Sequence, residues 1–116
     1  MNIEELCKFC LSLSNVTQEM PFDKDTLVFK VGGKIFLLTN LSGPLYINLK
    51  CEPEYAILLR ESYFCIRPGF HMNKKHWNTV EINGTLSDVF LCELIIQSYQ
   101  LVISGMTKKD RMKLFC

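Results

Sequence analysis

Both histidines of the chain, its one tryptophan and a Lys-Lys pair fall within a single stretch, Arg67-Pro68-Gly69-Phe70-His71-Met72-Asn73-Lys74-Lys75-His76-Trp77-Asn78, which contains no acid. Three chemistries compete for it. A metal centre needs ligands on one face, but His71 and His76 are five residues apart and neither an HExxH nor a second CxxC joins them. A catalytic histidine needs a nucleophile or a carboxylate beside it. Asp23, Glu52 and Cys65 have suitable types, yet nothing in their spacing brings them to His71 or His76. A polyanion site asks least: Arg67, Lys74 and Lys75 neutralise phosphate while Phe70, His76 and Trp77 stack on bases or pack beneath them. The competing reading is structural, with Trp77 anchoring the loop in the core and the lysines merely solvated.

The flanking segments have to position that stretch. Asn2 with Glu5 makes a capping-box pattern, and Ile3, Leu6, Cys7, Cys10 and Leu13 recur at helical spacing, so residues 3–13 form a short amphipathic helix. Residues 15–26 read as an irregular connector, with Phe22 folding back onto the core. LVFKV and KIFLLT flank Gly32-Gly33, a two-residue hairpin signal. Closing it pairs Val31 with Lys34, Phe29 with Phe36 and Leu27 with Leu38. That face is expected against helices, leaving Val28, Lys30, Ile35 and Leu37 on the reverse. Residues 45–50 make a third strand, with Leu45, Ile47 and Leu49 inward and Tyr46, Asn48 and Lys50 outward. The outward side then reads as a solvated face on which Lys30, Lys50, Tyr46 and Asn48 cluster. Pro53 opens a helix to about residue 62, residues 78–82 alternate as a strand, and Ser87 caps a helix over 88–104 that ends at Gly105. That last helix is apolar on two stripes, so it is covered on both sides within the domain or used in an oligomer. A basic tail follows.

At 116 residues, 48 % hydrophobic and 22 % charged, the chain is expected to fold as one domain over 1–116 with a core of its own. The net charge of +1 hides a segregated distribution. Residues 62–80 and 106–116 each carry an excess of three positive charges, whereas 1–26 and 81–105 each carry three negative. The uncharged run 94–106 is too short to span a bilayer, and the N-terminus lacks the positive region of a signal peptide. A soluble cytoplasmic protein is expected, with no membrane partner. In that compartment the six cysteines read as free thiols, and the Cys7-Cys10 pair, placed inside a helix, as core packing.

The order of motifs resembles the MmcQ/YjbR-like family. The resemblance runs through Phe29-Lys30-Val31-Gly32-Gly33-Lys34-Ile35-Phe36, Asn48-Leu49-Lys50-Cys51-Glu52-Pro53-Glu54, Pro68 to Val80 and Ser98-Tyr99-Gln100-Leu101-Val102. It covers most of the chain from about Phe22 onward, and the second motif departs only in having Glu52 where the family commonly has Asp. It implies an α+β fold, a two-layer sandwich of an antiparallel sheet with helices packed on one face, similar in outline to CyaY/frataxin. It also implies DNA binding, by likeness to the double-wing DNA-binding domain of a phage transcription factor; that is an analogy of fold. Iron handling of the frataxin kind is a weaker implication, because only Glu4 and Glu5 stand on the first helix, beside Lys8.

The expectation is therefore a small non-enzymatic domain that needs no cofactor or metal and binds DNA through the outward sheet face and the His71–Trp77 loop. Lys30, Lys34, Lys50, Lys74, Lys75 and His76 are its candidate contacts, with a monomer or weak dimer as the working state. A protein–protein or small-ligand interaction module without a nucleic-acid role is the alternative.

Overall fold

The computed structural model of the chain describes residues 1–70 and 72–115. Asn2 caps α1 (Ile3–Ser12), accepting the Glu5 N–H at 2.8 Å while Glu5 Oε1 accepts the Asn2 N–H at 3.1 Å. This is the reciprocal capping box that the spacing predicts. The chain continues through β1 (Val16–Glu19), β2 (Thr26–Val31), β3 (Lys34–Asn40) and β4 (Tyr46–Lys50) into α2 (Pro53–Ser62). β5 (Ile66–Pro68), β6 (Trp77–Glu81), α3 (Asp88–Ser104) and α4 (Lys108–Phe115) complete it. The strands form one antiparallel sheet of six in the order β1-β2-β3-β4-β6-β5.

The core lies between one face of this sheet and the helices. Leu27, Phe29, Val31, Leu37, Ile47, Leu49, Ile66 and Val80 supply the sheet side, and Leu6, Cys10, Ala56, Leu59, Leu91, Leu94, Ile95 and Val102 the helix side. α3 runs over the central strands, α1 over β1 and α2 over β5 and β6. Both stripes of α3 are used within the domain. Leu91, Leu94, Ile95, Ser98 and Val102 are buried, while Tyr99 and Ile103 pack from the second stripe. The α+β arrangement with helices on one face is thus the observed one.

Several expectations are corrected. β1 occupies part of the expected connector; VTQE is exposed at three of its four positions, so no apolar alternation announces it. β5, three residues long, is equally silent, and the basic tail forms α4, whose Leu114 packs against the core. In the hairpin, Gly32 and Gly33 adopt φ of 59° and 78°, the positive pair a type I′ turn requires, and Val31 does oppose Lys34. Beyond that the register slips. A bulge between Phe29 and Lys30 sets Phe29 against Leu37 and Leu27 against Thr39. Leu37 therefore belongs to the core face and Leu38 to the reverse.

The bulge has a specific partner. Ser98 on α3 is fully buried, and its Oγ donates to the Phe36 carbonyl at 2.6 Å while accepting the Lys50 N–H at 2.8 Å. A bulge leaves backbone groups outside the strand ladder, and buried ones need partners.

Candidate functional site

The sheet face away from the helices is not simply solvated. Val28 is fully buried on it, Leu38 and Thr79 nearly so, and a hollow of about 700 Å³ opens above Leu38 and Thr79. Ile35, Leu38, Tyr46, Asn48 and Thr79 line it from the strands; Phe22, Asp23, Phe70 and Met72 line it from the loops. Phe22 and Phe70 remain 64 % and 55 % exposed, so they stand at the rim instead of in the core. Phe22 thereby departs from its expected place.

The polar groups of this hollow are ordered. The Phe70 N–H donates to Thr79 Oγ1 at 3.1 Å, and Thr79 Oγ1 donates in turn to Asn48 Oδ1 at 2.6 Å. Asn48 Nδ2 and the Tyr46 hydroxyl have no hydrogen bond among the described residues, while the Arg67 guanidinium lies 5.9 Å from the Tyr46 ring centre. At the edge, Asp23 accepts the Asp25 and Thr26 N–H groups at 2.8 and 2.7 Å. These bonds hold its carboxyl below the usual range.

A second hollow, of about 530 Å³, lies at the end of the sheet by the hairpin turn. Lys30, Lys34 and Lys50 line it together with Gly33, Trp77 and the C-terminal turn of α3 at Val102 and Gly105. Three of the candidate cations thus share one concavity, and Trp77, directly across from Lys50 in the β4–β6 pairing, shares it with them. Lys30 is engaged by Glu19 at 3.0 Å; Lys34 and Lys50 form no ion pair among the described residues. Trp77 is half-buried on this side of the sheet, so it anchors the loop outside the helix-covered core.

The remaining candidates lie elsewhere on the 69–77 loop and line neither hollow. Lys74 Nζ donates to the Gly69 carbonyl at 3.1 Å, and the exposed Lys75 donates its N–H to Asn73 Oδ1 at 2.9 Å. His76 is half-buried; its carbonyl accepts the Cys51 N–H at 2.7 Å, and its N–H donates to the Asn73 carbonyl at 3.2 Å. His71 lies outside the described residues. Glu52 is occupied as the cap of α2, and Cys65 is buried in the core. Among the described residues no three His, Cys, Asp or Glu side chains come together as metal ligands, and no helix is long and apolar enough to cross a membrane.

A residue without any sequence signal holds this loop. Arg60 on α2 donates from Nε to Asn78 Oδ1 at 2.6 Å and from its guanidinium to the carbonyls of Lys74 and Trp77. Gly69 is forced by space, since a Cβ there would lie 2.9 Å from Trp77 Cβ and 3.0 Å from the Trp77 carbonyl oxygen. In sequence, Arg60 reads only as a helical charge.

Comparison with known proteins agrees with the motif order. A family model described as YjbR matches residues 11–101. YbdF, an uncharacterised protein of Escherichia coli O157:H7, is 41 % identical over 107 residues, covering 91 % of this chain and 88 % of its own length. YjbR of Escherichia coli K12, also uncharacterised, is 31 % identical over 112 residues, 96 % of this chain and 95 % of its own. A Deinococcus radiodurans protein of known crystal structure superposes with a TM-score of 0.93 at 40 % identity, over 97 % of this chain and 87 % of that one. A Pseudomonas syringae crystal structure gives 0.77 at 30 % identity, over 87 % of this chain and 98 % of that one. With the match spanning most of the chain and the fold in agreement, the chain belongs to the YjbR family.

Proposed function

We propose that the chain is a non-enzymatic binding module whose site is the aromatic-rimmed hollow on the helix-free face of the sheet, and that its ligand is a small molecule. One observation carries this reading: Phe22, Phe70, Tyr46 and Leu38 surround about 700 Å³ of space, within the roughly 300–1,000 Å³ typical of ligand sites. Most ligand sites combine an apolar lining with a few polar groups that fix orientation; Asn48 and Tyr46 supply such groups here. The test is a ¹H–¹⁵N titration with uncharged planar fragments such as indole and quinoline. Shifts should gather at Leu38, Tyr46, Asn48 and Thr79 and weaken in Phe22→Ala. Fragments that perturb no amide of this face would refute the reading.

DNA binding is the second reading, favoured by the shared concavity of Lys30, Lys34 and Lys50 beside Trp77, with Lys74, Lys75 and His76 on the adjoining loop. Its weight is lowered by the pairing of Lys30 with Glu19 and of Lys74 with a carbonyl. Labelled duplex and single-stranded DNA titrated at two salt concentrations decide it, because affinity must fall steeply with salt. Unchanged affinity in a Lys74→Ala/Lys75→Ala variant would remove the loop from that interface.

A further inference from the structure

The two hollows adjoin. Ile35 and Met72 line both the aromatic hollow and the lysine-lined one, so a ligand resting on Phe22, Phe70 and Tyr46 sits next to a cationic concavity. We infer that the ligand is a planar ring carrying an anionic group, the chemistry of a nucleoside monophosphate, with its ring in the aromatic hollow and its anion on Lys34 and Lys50. The inference rests on the small-ligand reading given above and adds the substrate class to it.

Charge supports the assignment. Lys30 is largely answered by Glu19, which leaves two lysines without an ion pair among the described residues. The C-terminal turn of α3 faces the same concavity at Val102 and Gly105 and brings a negative helix end equivalent to about half a charge. Its last carbonyls already accept the Gly105 and Met106 N–H groups, so two full positive charges outweigh it. An anion there gains charge-assisted bonds that an uncharged ligand cannot make. The ring end selects a class and not one base: aromatic side chains stack on any base, because every base presents a π-face. Asn48 Nδ2, without a hydrogen bond among the described residues, can donate to a ring or sugar acceptor.

The experiment titrates the full chain with adenosine and guanosine 5′-monophosphates, the two nucleosides, and inorganic phosphate, followed by ¹H–¹⁵N spectra. Each nucleotide should bind at least about tenfold more tightly than its nucleoside, shifting amides of Leu38, Asn48 and Thr79 together with those of Lys34 and Lys50. Lys34→Ala/Lys50→Ala should bring the nucleotide down to nucleoside affinity and leave the nucleoside unchanged. Lys34→Ala alone, at an exposed hairpin position, guards against misfolding and should show a partial loss. Equal affinity for nucleotide and nucleoside, or phosphate binding as tightly as the nucleotides, overturns the inference. If uncharged planar fragments shift the aromatic face and no nucleotide does, the small-ligand reading stands and this inference fails. If neither shifts it, both fail.

Discussion

Arg60 on α2 and Asn78 on β6 are joined by a 2.6 Å bond from Nε to Oδ1, with Asn78 98 % removed from solvent. The amide of Asn78 also reaches the Ala56 carbonyl at 3.4 Å, so the start of β6 is tied to α2 twice. Through the carbonyls of Lys74 and Trp77 the same guanidinium sets the exit of the 69–77 loop. The loop in turn carries Phe70 and Met72 to the aromatic hollow and Trp77 to the lysine-lined one. A helix charge on the core side thus shapes the hollow-bearing face on the other.

Arg60→Ala should therefore destabilise the fold by about 2–3 kcal/mol, because a buried acceptor on Asn78 loses its partner. Arg60→Lys should restore little, since an ammonium cannot reproduce the guanidinium fork. Urea unfolding measures both, and a loss below about 0.5 kcal/mol, the scale of an ordinary surface substitution, would count against the clamp.

Ser98→Ala leaves the Phe36 carbonyl and the Lys50 N–H without their shared partner. A loss of about 2–3 kcal/mol is expected. Ser104→Ala, an exposed serine on the same helix, should stay within about 0.5 kcal/mol. Equal unfolding midpoints for the two variants would mean that Ser98 does not support the bulge.

Gly69→Ala places a methyl within 3 Å of the Trp77 side chain and its carbonyl. Overpacking of this kind costs about 1–3 kcal/mol. Trp77 is the one tryptophan, so its fluorescence reports the displacement directly. An unchanged emission maximum with unchanged stability would show that the contact relaxes freely.

The thiols give a pH dependence. Burial pushes Cys10 up to about 12 from an ordinary 9.0, and burial also raises Cys7, Cys51, Cys65 and Cys92. A group whose folded pKa is raised stabilises fully below its unfolded pKa and loses that contribution as pH climbs toward the folded one. Stability should thus hold up to about pH 9 and decline from there towards 12, with Tyr99, raised by burial as well, adding to the fall. Urea midpoints at pH 7 and about pH 10.5 test this, and Cys10→Ala should flatten the decline. Identical midpoints in the native chain at the two pH values would contradict it.

Short-range features were legible in the residues themselves. The Asn2–Glu5 box, the Gly32-Gly33 turn and the Ser87-to-Gly105 limits of α3 each depend on groups a few positions apart, where chain geometry alone decides the contact. The motifs also named the family, and several hollow-lining residues, Tyr46, Asn48, Lys30 and Lys50 among them, already fell on the outward face by simple alternation.

What the tertiary structure decided depends on partners far away in the chain. The bulge that turns Leu37 inward and Leu38 outward is held by Ser98, 62 residues from Phe36, and a two-residue turn cannot specify it. β1 and β5 are edge strands at opposite ends of the sheet, made by pairing with β2 and β6 rather than by any apolar alternation of their own. That Phe22 and Phe70 share one hollow, and Lys34, Lys50 and Trp77 another, follows from the same sheet order. Alternation gives the side of a strand on which a residue stands, but only the packed sheet determines its neighbours.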